Sequence, residues 1–231
     1  MSTPIVVLLV LLALVAFGFV LLWWRMERER SRAGSPAGTP VPTDLATGFV
    51  VNFFDALGIG CFAPTTAIFK LQNRMPDELI PGTLNAGHCL PAVAQAFIFT
   101  VAVVVDPLTL LSMIAAAAAG AWLGAGVVAR LPRRAILCSL LGMNPLSAFP
   151  IMAGSCAFLM PVGGLRFIRS GRYHARAAIA MALGGVPAVF FAVYIVGSLP
   201  MTALRWLVMV VVLYAAYAML RSRNVFAINA P

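Results

Sequence analysis

Residues 55–70, with the sequence DALGIGCFAPTTAIFK, place a carboxylate and several helix-breaking residues inside an otherwise apolar stretch. The residues that could contribute chemistry are Asp55, Gly58, Gly60, Pro64, Thr65 and Thr66. Glycines let a backbone approach a ligand closely, and a helix that begins near Pro64 would direct threonine hydroxyls and N–H groups towards an anion. Asp55 could cap a half-helix or bind a coupling proton. Helix capping without a ligand is the alternative for the carboxylate and the threonines.

A second group of polar residues lies further along the chain. Asn85 and His88 fall within one helical turn, so they could share a helix face. Asn85 offers two donors to an oxyanion, and His88 could donate a hydrogen bond or carry a proton, with interhelical hydrogen bonding as its alternative role. Ser155 occupies a comparable position after Pro150, and its alternative role is that of a small residue at a tight helix contact. With residues 55–70, these three side chains form the predicted substrate site.

The four cysteines lie within or beside apolar segments and form no CxxC pair. They are Cys61, Cys89, Cys138 and Cys156. We interpret them as buried, reduced thiols, with soft ligands for a transported metal cation as the alternative. The sequence contains no paired carboxylates, no Ser/His/Asp arrangement and no Walker A motif. We therefore predict neither an enzyme nor an ATP-driven pump, and no metal or other cofactor.

The composition is that of an integral membrane protein. Of the 231 residues, 62% are hydrophobic and only 10% are charged. The formal net charge is +9, but the sixteen Lys and Arg residues fall in short clusters between apolar runs. This distribution follows the positive-inside rule of multi-pass membrane proteins and lacks the continuous basic face of a nucleic-acid-binding domain. We predict an all-α transmembrane bundle in a lipid bilayer, with no nucleic-acid partner.

The first apolar segment, residues 4–24, is long enough to span a bilayer. No positively charged side chain precedes it, and the basic sequence WWRMERERSR closes it, so we interpret it as an uncleaved anchor with its N-terminus outside. Residues 25–46 include a stretch rich in Pro, Gly and Ser. They are predicted to form a cytoplasmic linker without fixed structure.

The polar joints between the later apolar stretches restrict the topology. If every stretch crossed the membrane once, the basic clusters would alternate between its two sides, against the positive-inside rule. All clusters lie on the cytoplasmic side if residues 49–69 and 135–162 each enter and leave on that side, as broken or re-entrant segments. Both are rich in helix breakers, although an ordinary span with a proline kink is the alternative. Non-helical backbone at membrane depth must be buried in protein or line a wet cavity.

A short internal repeat relates two parts of the chain. The sequence MPDELIPGTLNAGHCLP begins at Met75, and MNPLSAFPIMAGSCAFLMP begins at Met143. The first two prolines of each copy have the same spacing, and a third proline follows at a similar distance. Repeated halves with polar interruptions at corresponding places are typical of transporters whose site lies at the interface of the halves.

These segments resemble the TauE/SafE family of sulfite exporters, which are membrane permeases for sulfur-containing anions. The resemblance rests on residues 53–70, 76–91 and 144–173, and it extends over roughly residues 47–223. It implies two related halves, each opening with a glycine-rich broken segment. It also implies transport of sulfite, sulfonates or related small anions without ATP hydrolysis, in the bacterial cytoplasmic membrane.

The second half departs from the family pattern. RLPRRA runs directly into ILCSLLGMNP, so several tens of residues with a second glycine-rich segment are absent there. Residues 135–162 keep only the latter part of that motif. The predicted divisions are an anchor (1–24), a cytoplasmic linker (25–46), a first repeat (47–134), a shortened second repeat (135–223) and a tail (224–231).

The residues and the resemblance together predict a secondary transporter for sulfite, a sulfonate or a related small anion, with its site at the broken helices and an ion gradient as the driving force. Because the second half is short, a non-transporting membrane subunit or a truncated relic of the permease fold is the alternative. A homo-oligomer or a partner subunit is also expected, since another chain could supply the missing part of the site.

Overall fold

The structure, a computed structural model, describes residues 3–34, 38–58, 60–102 and 145–198. Within these ranges the chain is helical and contains no strand. The helices are α1 (Thr3–Arg32), α2 (Pro42–Ala56), α3 (Phe62–Leu71), α4 (Ile80–Gly87), α5 (Cys89–Ala102), α6 (Pro145–Arg169) and α7 (Ala175–Ser198), with a short 3₁₀ turn at Asp77–Leu79. The predicted all-α fold is confirmed.

Three helices in the described ranges are long and apolar enough to cross a membrane. They are Ile5–Arg32, Asp77–Ala102 and Ala175–Ile195. The second of these joins the 3₁₀ turn, α4 and α5 into one 26-residue path, with His88 near its middle. Several such spans in one chain make this a multi-pass membrane protein.

Helix α1 shows how a lipid-facing span packs against one side of a bundle. Val7, Leu14 and Phe17 are about 60% or more exposed, whereas Leu12 and Phe19 are at most 2% exposed. The buried side contacts α6 and α5. The helix also continues to Arg32, and α2 already begins at Pro42. Helices α1 and α2 therefore extend from both sides into residues 25–46, which the composition predicted to be a linker without fixed structure.

Helices α2 and α3 form a pair that begins and ends at the same end of the bundle. Arg74, just after α3, donates from Nη2 to Oδ1 of Asp44, in the first turn of α2, at 2.7 Å. At 15 and 10 residues, neither helix has the length of a membrane span. This path agrees with the prediction that residues 49–69 enter and leave on one side.

The second stretch predicted to be broken behaves differently where the structure describes it. Residues 145–169 form one unbroken helix, α6, which passes through Pro150 and Pro161. A proline removes one backbone donor, and neighbouring helices in a membrane bundle can accommodate that loss. Residues 145–162 therefore contain no helix break, contrary to that part of the prediction. Residues 135–144 lie outside the described ranges, so the re-entrant course of residues 135–162 stays a prediction.

The core is formed where α2 packs most extensively on α7, and α4 and α5 pack on α6 and α7. The α2–α7 contact is close because it uses glycines. A Cβ at Gly48 would lie 2.6 Å from Cα of Met181, and one at Gly184 would meet the carbonyl of Leu45. Small residues that let backbones approach closely are the usual device of helix association in membranes. The relation between two repeated halves stays a prediction.

Candidate functional site: a polar network at the helix break

The break between α2 and α3 depends on two glycines. Helix α2 ends at Ala56, and Gly58 and Gly60 then adopt φ values of +90° and +86°. This left-handed region is readily available to glycine and disfavoured for residues with a Cβ. The chain therefore reverses here and begins α3 at Phe62. The prediction of a broken helix in this segment is confirmed.

His88 lies at the junction of α4 and α5 and faces this break. Its side chain is buried, with 1% exposure. Ring Nδ1 lies 3.1 Å from Oδ1 of Asn52, and ring Nε2 lies 3.1 Å from Oγ1 of Thr65. The ring of Phe62, with its centroid 6.0 Å away, covers part of the imidazole. Both ring nitrogens thus contact other helices, α2 and α3.

The two partners of His88 have hydrogen bonds of their own. Asn52 Nδ2 donates to the carbonyl of Gly48 at 2.7 Å, and Thr65 Oγ1 donates to the carbonyl of Cys61 at 2.7 Å. Neither Asn52 nor Thr65 has measurable exposure. Buried polar groups are costly unless they are hydrogen-bonded. The network therefore ties α2, α3 and the α4–α5 junction together in an apolar interior.

Asp55 extends the network towards α5. Its Oδ2 accepts a hydrogen bond from Nε2 of Gln95 at 2.7 Å, and the backbone N–H and thiol of Cys61 also interact with this carboxylate. Since Cys61 is the N-cap residue of α3, the carboxylate lies at the start of that helix. A negative charge is favourable at the start of a helix, so this position agrees with a capping role for Asp55, which stays a prediction.

The structure brings most of the predicted residues of the 55–70 segment together. Asp55, Gly58, Gly60 and Thr65 surround the break, and Pro64 lies in the first turn of α3. Thr66 donates its hydroxyl to the carbonyl of Phe62 at 2.7 Å, and Thr65 bonds in the same way to Cys61. Both hydroxyls therefore bond to the preceding turn, and that of Thr65 also faces Nε2 of His88.

Asn85 and His88 do not meet on one face. Asn85 donates from Nδ2 to the carbonyl of Pro81 at 2.8 Å, and its Oδ1 would lie 3.3 Å from a Cβ at Gly163 of α6. Residues three apart on a helix differ by about 60° in direction, which is enough to point them at different neighbours. Asn85 therefore faces α6, and His88 faces α2 and α3. Ser155 lies half-buried on α6, which packs against α4 and α5.

Two members of the network were missed by the sequence analysis. Asn52 and Gln95 are both buried within otherwise apolar helices. Both residues lie outside the segments 55–70 and 75–91, from which the candidates in this half of the chain were taken. Treating any strongly polar side chain within an apolar stretch as a candidate would have found both residues.

One end of the bundle, which we call the basic end, collects ion pairs and cationic side chains. Lys70 Nζ and Asp77 Oδ2 pair at 2.7 Å, and Arg74 bonds to Thr43 as well as to Asp44. His174 donates its backbone N–H to Thr83 Oγ1 at 2.8 Å. Burial, and next the charge of Arg176, lower the pKa of His174 from its ordinary value of 6.5. The loop before α7 is thereby fastened to α4.

Tyr173 fastens α1 to the same loop. Its hydroxyl donates to Glu27 and accepts from Nε1 of Trp23 at 3.2 Å. The guanidinium of Arg30 lies 5.2 Å from the ring centroid. Burial, and next the hydrogen bond to Glu27, raise the pKa of the Tyr173 hydroxyl. The phenol therefore stays protonated and continues to donate over the physiological pH range.

The cysteines and acidic residues of the described ranges form no metal-binding cluster of three or more ligands. Cys61 and Cys89 are buried, as predicted, whereas Cys156 is exposed. Cys138 lies outside the described residues. Transport of a metal cation thus gains no support from this part of the chain.

The apolar helices and the polar network at a helix break define a multi-pass membrane protein of the transporter type. The sequence profile of the sulfite exporter TauE/SafE family matches residues 1–143 of the chain. The chain therefore belongs to the TauE/SafE family, whose members are classed as membrane transporters of sulfite-type anions and not as enzymes. No curated protein and no solved structure matches the chain.

The extent of the match differs from the extent of the resemblance noted in the sequence. The match includes α1, which the sequence analysis separated from the first repeat as an anchor. It ends before α6, which begins at Pro145. The network of Asn52, Thr65 and His88 lies wholly inside the matched residues.

Proposed function

We propose that the chain is a secondary transporter that moves sulfite, a sulfonate or a related small anion through a site at the α2–α3 break. The observation that carries this proposal is the polar network of Asn52, Thr65 and His88 in an apolar bundle, beside a backbone break. The break lies beside His88, near the middle of the span Asp77–Ala102. Transporters commonly bind substrate near the bilayer midplane, at discontinuous helices.

The direction of α3 favours an anion at this place. A helix N-terminus carries a partial positive charge and backbone N–H groups without partners inside the helix. Helix α3 begins at the break and runs towards the basic end, where Lys70 and Arg74 lie. A small oxyanion at the break would therefore meet a favourable field from the helix.

The proposed contacts divide into two groups. The first group lies at or beside the break. It consists of Gly58, Gly60, Thr65 and His88 at the break, with Asp55 and Pro64 bordering it. Thr66, Asn85 and Ser155 stay predictions as substrate contacts, because their described hydrogen bonds or helix positions direct them elsewhere or leave their role open. We propose the bacterial cytoplasmic membrane as the location, with the basic end on the cytoplasmic side.

Uptake by proteoliposomes tests the proposal. The chain is reconstituted alone, and entry of labelled sulfite and of a short alkylsulfonate is measured for the wild type, for Thr65→Val and for Thr47→Val. Thr47 is the matched control, because its hydroxyl makes the same kind of bond, to the carbonyl of Thr43 at 2.8 Å, away from the break. We expect saturable uptake by the wild type and Thr47→Val, with about a tenfold or greater loss in Thr65→Val. Equal uptake by both variants would contradict the site.

A non-transporting subunit or relic of the fold is the second candidate. It is favoured by the end of the family match at residue 143 and by the missing glycine-rich segment of the second half. It predicts that well-folded, reconstituted wild-type protein moves neither sulfite nor sulfonate. Recovery of uptake on adding a partner subunit would then identify the chain as one part of a larger transporter.

A further inference from the structure

We propose that His88 binds one proton together with the transported anion, and that Thr65 accommodates the proton by exchanging hydrogen-bond partners. This inference rests on the proposed transport function and adds its coupling ion. It is drawn from the hydrogen-bond geometry around the imidazole, in which each donor and acceptor can be counted.

The Asn52 side of the ring has only one arrangement. Asn52 uses its NH₂ group to donate to the carbonyl of Gly48, so its Oδ1 faces His88. An amide oxygen accepts and never donates. Nδ1 of His88 must therefore carry a hydrogen in every state of the network.

The Thr65 side has two arrangements, because the hydroxyl has one hydrogen and two neighbours. Its Oγ1 lies 2.7 Å from the carbonyl oxygen of Cys61 and 3.1 Å from Nε2 of His88. If the hydroxyl donates to Nε2, the imidazole is neutral. If it donates to Cys61, Nε2 must donate to Oγ1, and the imidazole carries two hydrogens and a positive charge.

Conversion between the two arrangements requires no movement of a helix. A proton adds to the lone pair of Nε2, the new N–H donates to Oγ1, and the Thr65 hydroxyl turns to Cys61. The Cys61 carbonyl accepts the backbone N–H of Thr65 at 3.2 Å in either case, so it is never left without a partner. Every polar group of the network therefore has a partner with and without the extra proton.

The side chains that contact His88 directly carry no charge, so an imidazolium there would have no ion-pair partner among them. From α2 and α3 the ring meets Asn52, Thr65 and Phe62, which do not titrate. The adjoining elements carry Asp55 near the end of α2, Cys61 before α3, Cys89 in α5 and Cys156 in α6. Their other titratable groups are Asp44, Lys70, Arg166, Arg169 and Arg176, towards the basic end, and the exposed Tyr194 of α7. From α7 the nearby residues are apolar, with Met181 against Gly87 and Gly185 against Asn52.

An imidazolium in these surroundings is costly because it has left water without gaining a paired charge. Asp55 lies next to Cys61, but its carboxylate is engaged by Gln95 and by Cys61 itself. An oxyanion at the α2–α3 break would supply the missing charge. Proton and anion would therefore bind cooperatively, and each would increase the affinity for the other by the same factor.

The experiment uses an alkylsulfonate, because it stays ionised at neutral pH and cannot itself carry a proton. Sulfonate accumulation and internal pH, from a trapped pH dye, are followed in proteoliposomes that contain the full chain. With one proton per anion, we expect about tenfold accumulation for each unit of imposed pH difference, together with internal acidification that depends on sulfonate. Sulfonate uptake by the wild type without proton movement overturns this inference alone, whereas absence of any uptake overturns the proposed function.

Two variants assign the proton to His88. His88→Gln retains hydrogen-bonding groups but cannot take up a proton, so any sulfonate that it still moves should enter without internal acidification and should not accumulate with the imposed pH difference. His174→Gln removes the second of the two histidines, at the basic end, and should accumulate sulfonate as the wild type does. Proton-coupled accumulation that survives in His88→Gln overturns the assignment. If His88→Gln does not fold or moves no sulfonate, the ¹⁵N ring signals of wild-type His88 decide, since added sulfonate must convert them to the imidazolium form.

Discussion

His88 has hydrogen bonds at both ring nitrogens, and the two partners come from different helices. Such an arrangement holds the ring in one orientation, because neither nitrogen can leave its partner without exposing a polar atom to an apolar interior. The side chain is thus part of the packing of α2 and α3 against α4. A structural role and a proton-binding role are compatible at this residue, since the same network accepts either protonation state.

A second histidine makes a separate prediction at the residue scale. The pKa of His174 is lowered in the folded protein by burial and by Arg176, so the unfolded chain binds the proton more strongly. The stabilisation from the neutral ring is complete above the unfolded value of 6.5 and is lost as the pH falls below it. We expect the wild type in detergent to have a lower melting temperature at about pH 5 than at about pH 7.5.

His174→Gln isolates this contribution from those of other titrating groups. The variant should lose less melting temperature than the wild type over the same pH interval. An equal loss in both proteins would show that His174 is not the source of the pH dependence. Because His174 is only partly buried, the difference is expected to be small.

At the scale of elements, the pair α2–α3 is shaped by a turn that only glycine adopts without strain. Gly60 has φ of +86° and no atom within 4 Å of a Cβ built on it. A substitution there would therefore meet backbone strain and no steric overlap. The pair is held from outside by α7, through close contacts at Gly48, and from its ends by the Arg74–Asp44 pair.

Gly60→Ala should reduce both stability and transport, because a non-glycine residue in this conformation costs about 1–2 kcal/mol. Gly34→Ala is the matched control, since Gly34 has φ of +81°, equally open surroundings and a position after the end of α1. We expect a similar or smaller fall in melting temperature for Gly34→Ala, with normal sulfonate uptake. Uptake unaffected by Gly60→Ala, in protein that is otherwise folded, would separate the break from the transport site.

At the scale of the whole molecule, the described helices share one basic end. Three contacts hold this end together: Arg74 with Asp44, Tyr173 with Glu27, and His174 with Thr83. They join the C-terminus of α1, the start of α2, the end of α3 and the α6–α7 loop. From the positive-inside rule we propose that this end lies in the cytoplasm. The N-terminus of helix α1 would then lie on the opposite side of the membrane.

Labelling of single cysteines tests this topology. The native cysteines are first replaced, and one new cysteine is introduced at a time. Asn73→Cys and Ser170→Cys should then react with a membrane-impermeant maleimide only from the cytoplasmic side. Thr3→Cys, at the start of α1, should react only from the opposite side. Reaction of Asn73→Cys and Ser170→Cys from different sides would contradict the shared basic end, since the end of α3 and the α6–α7 loop would then lie on opposite sides of the membrane.

The membrane class, the helical fold, the broken segment at Gly58 and Gly60, and the family could all be determined from the sequence, because each leaves a local pattern. Apolar runs of span length, clustered basic residues and helix breakers are readable without knowing which helices touch.

Only the tertiary structure decided which polar groups meet. Asn52, Thr65 and His88 are far apart in the chain, and the direction of each side chain depends on how α2, α3 and α4 pack. The same packing turned Asn85 towards α6, although its spacing from His88 predicted a shared face. It also kept α6 continuous through two prolines. Local sequence sets where a helix can break, whereas contacts with neighbouring helices decide where it does and which donor reaches which acceptor.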